Sequence, residues 1–74
     1  MNNYLRLAED IMFGPERGVD AMLQKHKLEY RKGKCFSHIK NSVNKAFKSG
    51  MGKTECELSL LECYLRGVLK DKKP

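Results

Sequence analysis

Apolar side chains recur at spacings of three and four residues through most of the chain, whereas alternation with a period of two is scarce. This pattern is typical of amphipathic helices. It predicts an all-α fold, a small bundle of three to four helices over about residues 3–13, 15–30, 35–49 and 55–70. The first helix should end at Gly14-Pro15. Pro15 then suits the first turn of the second helix, where its missing N–H leaves no bond unmade.

Each predicted helix has one apolar face. The faces carry Tyr4, Ala8, Ile11 and Met12 in the first helix, Val19, Met22, Leu23 and His26 in the second, Phe36, Ile39, Val43, Ala46 and Phe47 in the third, and Leu58, Leu61, Leu65 and Val68 in the fourth. Gly50 is the expected C-terminal cap of the third helix. Thr54 and Glu57 have the spacing of a capping box at the start of the fourth. Together the four faces predict one shared core.

The length and composition favour a single domain. The chain has 74 residues, of which 41% are hydrophobic and 32% charged, so we expect one domain over residues 1–74 with a frayed tail at 71–74. At this size only about 60% of the unfolded chain's surface is buried on folding. Oligomerisation is a common source of extra stability for so small a core, so we expect a homodimer.

Several absences in the sequence predict a cytoplasmic protein. No apolar run reaches the roughly 18 residues that a membrane span requires, so no membrane contact is expected. Glu9 and Asp10 interrupt the apolar stretch that a signal peptide would need. The three cysteines are an odd number at irregular spacing, which fits a reducing compartment better than a disulfide framework.

Positive charge is concentrated in the middle of the chain. Residues 25–53 contain nine of the 15 basic residues and a single acid, Glu29. The nine are Lys25, Lys27, Arg31, Lys32, Lys34, Lys40, Lys45, Lys48 and Lys53. Such a stretch is typical of proteins that bind partners rich in phosphate or carboxylate. Because lysine outnumbers arginine, it favours attraction to a nucleic-acid backbone over sequence readout.

Three short patterns resemble chemical motifs without the surroundings that the chemistry needs. Residues 50–54 resemble the end of a phosphate-binding P-loop, but the preceding segment reads as a helix and no parallel sheet can follow. Cys35 and His38 have zinc-ligand spacing, yet Cys56 and Cys63 lie about 10.5 Å apart along a helix and cannot reach one ion. No residue is evident that would orient a cysteine–histidine nucleophilic pair. We therefore predict no enzyme, metal or cofactor, and buried free cysteines.

A helix-turn-helix DNA reader fits the chain poorly. Ala46 and Gly50 have a suitable spacing for the turn of such a motif. The recognition helix that follows would, however, begin with Glu55 and Glu57, and two acids would then face DNA. The basic residues are better explained by a broader electrostatic surface.

Two functional hypotheses follow. The first is a small regulatory protein that docks on nucleic acid, or on a protein–nucleic acid complex, through the basic residues of segment 25–53. The alternative is a protein inhibitor or antirepressor-type regulator, as encoded by mobile elements, that binds another protein through its apolar C-terminal helix. Leu60, Tyr64 and Leu69 widen the apolar sector of that helix and would form the interface. An acidic protein surface is a further partner for the lysines.

Overall fold

The computed structural model describes residues 3–14 and 18–72. Within these residues, the elements are α1 Asn3–Phe13, α2 Val19–Lys25, β1 Leu28–Tyr30, α3 Phe36–Gly50, α4 Thr54–Val68 and β2 Leu69–Asp71. The described fold is therefore mostly helical, as the apolar spacing predicts. The expected start of the second helix at Pro15 lies outside the described residues.

The core forms where α4 packs against α1 on one side and α3 on the other. Its buried apolar side chains are Leu7, Ala8, Leu23, Leu28, Ile39, Ala46, Leu61, Leu65, Val68 and Leu69. Burying one leucine side chain contributes about 1.5–3 kcal/mol, so the leucines of α4 are a large part of the stability. The wide apolar sector of this helix thus reflects contact with two neighbours.

Two short strands correct the all-helical prediction. The helical prediction is wrong for residues 28–30 and for residues 69–70, which pair as antiparallel strands with Tyr30 opposite Leu69. α2 ends because the backbone of Lys27 is left-handed, with φ 57°. Asp71 lies in β2 and not in a frayed tail. Pairing between segments so distant in sequence leaves no trace in local periodicity.

The turn between α3 and α4 also differs from its prediction. Gly50 is the last residue of α3, and Met51 takes the left-handed C-cap conformation with φ 53°. Gly50 is buried, and a Cβ at this position would lie 3.1 Å from the backbone nitrogen of Glu57. The capping box of Thr54 and Glu57 is not formed, because Lys53 is the N-cap and its side chain makes no capping bond. Gly50 is therefore needed for the close approach of the two helices.

A polar cluster joins α1 to the end of α2. His26 Nε2 lies 2.5 Å from a carboxylate oxygen of Asp10, and Lys25 Nζ lies 3.4 Å from the same oxygen. Asn3 Nδ2 donates to the His26 carbonyl at 3.1 Å. The hydrogen bond with His26 holds the pKa of Asp10 below its ordinary value. The ionised carboxylate of Asp10 thus stabilises the contact between the two helices.

Candidate nucleic-acid interface

A groove lies between α3 and α4 on the side of the loop that precedes α3. It has a volume of about 240 Å³ and is lined by Lys34, His38, Asn41, Ser42, Lys45, Tyr64, Gly67 and Val68. We call it the basic groove. It brings two of the predicted phosphate-binding residues, Lys34 and Lys45, to the same place as Tyr64. Ammonium groups attract phosphate oxygens, and a tyrosine ring provides a surface for base stacking.

The helical periodicity of α3 determines which of its residues line this groove. His38, Asn41 and Lys45 are three or four residues apart, so their side chains share one side of the helix. Ser42 lies between this side and the core, and its buried hydroxyl donates to the His38 carbonyl at 2.8 Å. The polar floor of the groove is therefore satisfied within the protein, while the lysines at its edges are exposed.

α4 forms the opposite wall with Tyr64, Gly67 and Val68. Gly67 keeps this wall low, because no atom lies within 4 Å of the position that a Cβ would occupy there. The absence of a side chain at this position widens the groove between Tyr64 and the end of the helix. Gly67 costs up to about 1 kcal/mol in helix propensity relative to alanine. No close packing at this position offsets that cost.

Cys35 caps the start of α3 beside the basic groove. Its backbone N–H donates to His38 Nδ1 at 3.1 Å, and its Sγ lies 3.0 Å from Ser37 Oγ. Hydrogen bonds from the Ser37 hydroxyl and backbone, and after them the adjacent His38 side chain, lower the pKa of this exposed thiol to about 7. Since Nδ1 accepts the capping bond, neutral His38 presents its Nε2–H as a donor.

The other predicted basic residues lie outside the basic groove. Arg31 Nε donates to the backbone carbonyls of residues 66 and 69 at 3.1 and 2.9 Å, which ties the end of β1 to the end of α4. Lys40 lies on the other side of α3, where it lines a separate apolar groove. The remaining members of the set are exposed elsewhere: Lys25, Lys27, Lys32, Lys48 and Lys53.

Sequence reasoning did not assign His38 and Asn41 to a nucleic-acid site. In the sequence, His38 stands out only as a partner of Cys35, because the two residues have zinc-ligand spacing. The feature that locates both side chains is their helical spacing from Lys45, which places them on one side of α3. That spacing becomes meaningful only when the position of α4 is known.

The residues predicted as a protein interface on the C-terminal helix differ in their exposure. Leu69 is fully buried in β2, so its side chain presents no surface to a partner. Tyr64 lines the basic groove. Leu60 lines a shallow depression farther along α3 and α4, together with Ser49, Glu55, Cys56 and Ser59. Leu69 is therefore no part of an exposed surface, whereas Leu60 and Tyr64 are partly exposed and lie four residues apart on one side of α4.

The prediction that the free cysteines are buried is wrong. Cys35, Cys56 and Cys63 are all exposed. Cys56 and Cys63 lie on the side of α4 that faces away from the core stripe of Leu61 and Leu65. Within residues 3–14 and 18–72, no three His, Cys, Asp or Glu side chains come together to hold a metal ion. No helix of this described part is long and apolar enough to cross a bilayer.

No protein-family model matches the chain, and no curated protein or solved structure is significantly similar to it.

Proposed function

We propose that the protein is a small, non-catalytic binding protein that docks on nucleic acid through the basic groove. The observation that carries the proposal is the convergence of Lys34, Lys45 and Tyr64 in one groove of about 240 Å³. The sequence contains no acid between Tyr30 and Thr54. The loop and the helix that form the α3 side of the groove thus carry positive charge and contain no carboxylate.

The arrangement favours backbone contacts over the reading of base edges. α3 does not present its lysines as one stripe, because Lys40 and Lys45 lie on different sides of the helix. Arg31, the one arginine of the basic segment, uses its Nε for two backbone carbonyls. Lysines act as point charges on phosphate, whereas arginine forks provide most bidentate base contacts. We therefore expect broad, salt-sensitive binding with little sequence preference.

Two single variants on one helix test the proposal. Lys45→Ala and Lys40→Ala remove the same charge from exposed positions of α3, but only Lys45 lines the basic groove. The measurement is the affinity for a labelled single-stranded oligonucleotide and for its duplex between about 50 and 200 mM salt. We expect Lys45→Ala to weaken binding several-fold and to lower the log–log salt slope by about 0.7–0.9, with a smaller effect for Lys40→Ala.

Equal effects of the two variants would show that only the overall charge matters, and an unchanged affinity in both would reject the basic groove as the binding site. No measurable binding by the wild type would reject nucleic acid as the partner. Tyr64→Leu keeps an apolar side chain in the groove but removes the aromatic ring. If Tyr64 stacks on a base, this variant weakens binding to the single strand more than binding to the duplex.

A second candidate function is protein inhibition or antirepressor-type regulation. The observation that favours it is the exposure of two aromatic side chains on α3, Phe36 at 49% and Phe47 at 45%. The contact would then lie on α3 and not on the C-terminal helix. Exposed apolar groups in such a position are typical of protein-binding surfaces when they belong to one patch.

A further inference from the structure

A second groove lies on the opposite flank of α3 and is apolar. It has a volume of about 270 Å³ and is lined by Ile11, Val19, Phe36, Ile39, Lys40, Val43 and Asn44. We call it the apolar groove. Ile11 comes from the end of α1 and Val19 from the start of α2, so three helices form its walls. Ile39 at its base is almost fully buried, whereas Phe36 at its edge is half exposed.

The apolar surface continues along α3 beyond the groove. Phe36, Lys40, Val43 and Phe47 succeed one another at spacings of four, three and four residues, so these four side chains form one stripe. The neighbouring stripe of α3, which includes Ile39 and Ala46, enters the core instead. The exposed stripe is thus a flank that the described helices leave partly uncovered.

The charge around this stripe identifies the kind of partner that fits it. Among the described residues that line the apolar groove, Lys40 carries the one charge. α3 contains no acid, and because Lys45 lines the basic groove, Lys40 is the basic residue of α3 that borders the apolar groove. A second copy bound about a twofold axis on this stripe would bring Lys40 towards its own counterpart, and like charges in an interface oppose association. A partner with carboxylates beside its apolar side chains would instead be complementary.

We propose that the apolar groove and the stripe of Phe36, Val43 and Phe47 bind an acidic amphipathic helix of another protein. In this mode of recognition, apolar anchors at positions i, i+3 or i+4, and i+7 enter a preformed groove. One anchor would fill the space between Phe36 and Val19, and a second would contact Phe47. Acidic residues on the flank of the partner helix would lie near Lys40. The surface is independent of the basic groove, because Lys45 lines only the latter.

Selection from a displayed library of helical peptides tests the proposal. The library keeps apolar residues at anchor positions and varies the flanking positions among acidic, neutral and basic residues, and the bait is the full chain. We expect enrichment of acidic flanks with the wild-type bait, and binding of the enriched peptides about tenfold weaker to Phe36→Ala, as for a truncated hot spot. Circular dichroism verifies that each variant bait keeps its helical content.

Charge reversal distinguishes binding at the apolar groove from general attraction to a basic protein. Lys40→Glu should reverse the preference from acidic to basic flanks, whereas the matched variant Lys45→Glu should leave it acidic. The proposal is overturned if no peptides are enriched, if enriched peptides bind Phe36→Ala as well as wild type, or if Lys45→Glu has the larger effect. It is also overturned if the wild type is a dimer by sedimentation and Phe36→Ala is a monomer, since a second copy would then occupy the stripe.

Discussion

The two flanks of α3 differ in what they offer a partner. The basic groove has exposed lysines at its edges and a polar floor in which Ser42 already donates to the His38 carbonyl. The apolar groove has Ile39 at its base and a half-exposed Phe36 at its edge. One flank therefore suits a phosphate chain, and the other suits apolar side chains. A single helix can serve both because only a narrow stripe of it is needed for the core.

The stripe of α3 that enters the core is narrow because it contains small residues. Ser42, Ala46 and Gly50 are buried in succession along α3 and face α4. Small side chains let two helices approach closely. Bulky core residues are then not needed on either side of the contact. The large aromatic residues Phe36 and Phe47 are thereby left beside the contact and not within it. The exposed apolar flank is thus a consequence of how α3 and α4 pack.

The largest effect should come from the base of the apolar groove. Ile39→Ala should lower the free energy of unfolding by about 2–5 kcal/mol, because the side chain is buried and its loss leaves a cavity. Phe36→Ala at the edge should cost about 1 kcal/mol or less, because the ring is half exposed. Urea denaturation of both variants measures the difference. Similar costs would contradict the division of the apolar groove into a core base and a free edge.

Acid should loosen the apolar flank before the basic one. The lowered pKa of Asp10 means that its contribution is present above its unfolded pKa near 3.8 and is lost as pH falls through its lower folded pKa. Asp10 ties α1 to the end of α2, and these helices carry Ile11 and Val19 of the apolar groove. We expect backbone resonances of α1 and α2 to shift below about pH 4 before those of α3 and α4.

Asp10→Asn is the matched control for this titration. It should cost about 1–2 kcal/mol at neutral pH, because an ion-assisted hydrogen bond to His26 is weakened. It should also reduce the early shift of α1 and α2, since the carboxylate that contacts His26 and Lys25 is then absent. A simultaneous shift of all helices in the wild type would mean that Asp10 does not control the apolar flank separately.

The sequence predicts the helices of this fold better than the connections between them. Apolar spacing locates α1, α3 and α4 because each buries a periodic face in the core. It misses β1 and β2, since Leu28–Tyr30 gains its partner only when Leu69–Asp71 arrives beside it. Spacing also fails to separate Phe36 and Phe47 from Ile39 on α3, because a helix face is broad and only the neighbouring helices determine which part is covered.

The sequence predicts the kinds of residue in the candidate site but not which of them lie together. The charge along residues 25–53 indicates an anionic partner, yet it treats Lys40 and Lys45 as equivalent. Their separation depends on their angular positions on α3 relative to α4 and α1. The sequence predicts Tyr64 for protein contact because it widens the apolar sector of the C-terminal helix, and only the packing of α4 places it beside Lys45. A site assembled from two helices is not visible from either one alone.

A smaller effect should come from the open wall of the basic groove. Gly67→Ala should raise the free energy of unfolding by about 0.5 kcal/mol, because alanine favours the helix and no atom obstructs its methyl group. The same methyl should narrow the groove beside Tyr64 and weaken oligonucleotide binding. Thermal denaturation and the binding assay together test this prediction. A variant that is both more stable and unimpaired in binding would place the nucleic acid away from this wall.

The smallest perturbation uses Cys35, which lies in sequence between Lys34 of the basic groove and Phe36 of the apolar groove. Its pKa of about 7 predicts that the thiolate is substantially populated at neutral pH. We expect iodoacetamide to react with Cys35 before Cys56 and Cys63, with a rate that rises through pH 7. Mass spectrometry of peptides from a brief reaction measures the three sites separately. Ser37→Ala removes the hydroxyl beside Sγ and should move the midpoint of the rate profile to higher pH, with little change in stability.

The same reaction then reports which flank of α3 is occupied. A bound oligonucleotide in the basic groove should slow alkylation of Cys35, because it covers the neighbouring Lys34 and its negative charge raises the pKa of the thiol. Alkylation of Cys56 in the shallow depression serves as the internal control. Lys45→Ala should reduce this protection and Lys40→Ala should preserve it. Protection that survives Lys45→Ala but is lost in Lys40→Ala would assign the nucleic acid to the apolar flank and reverse the comparison between the two grooves.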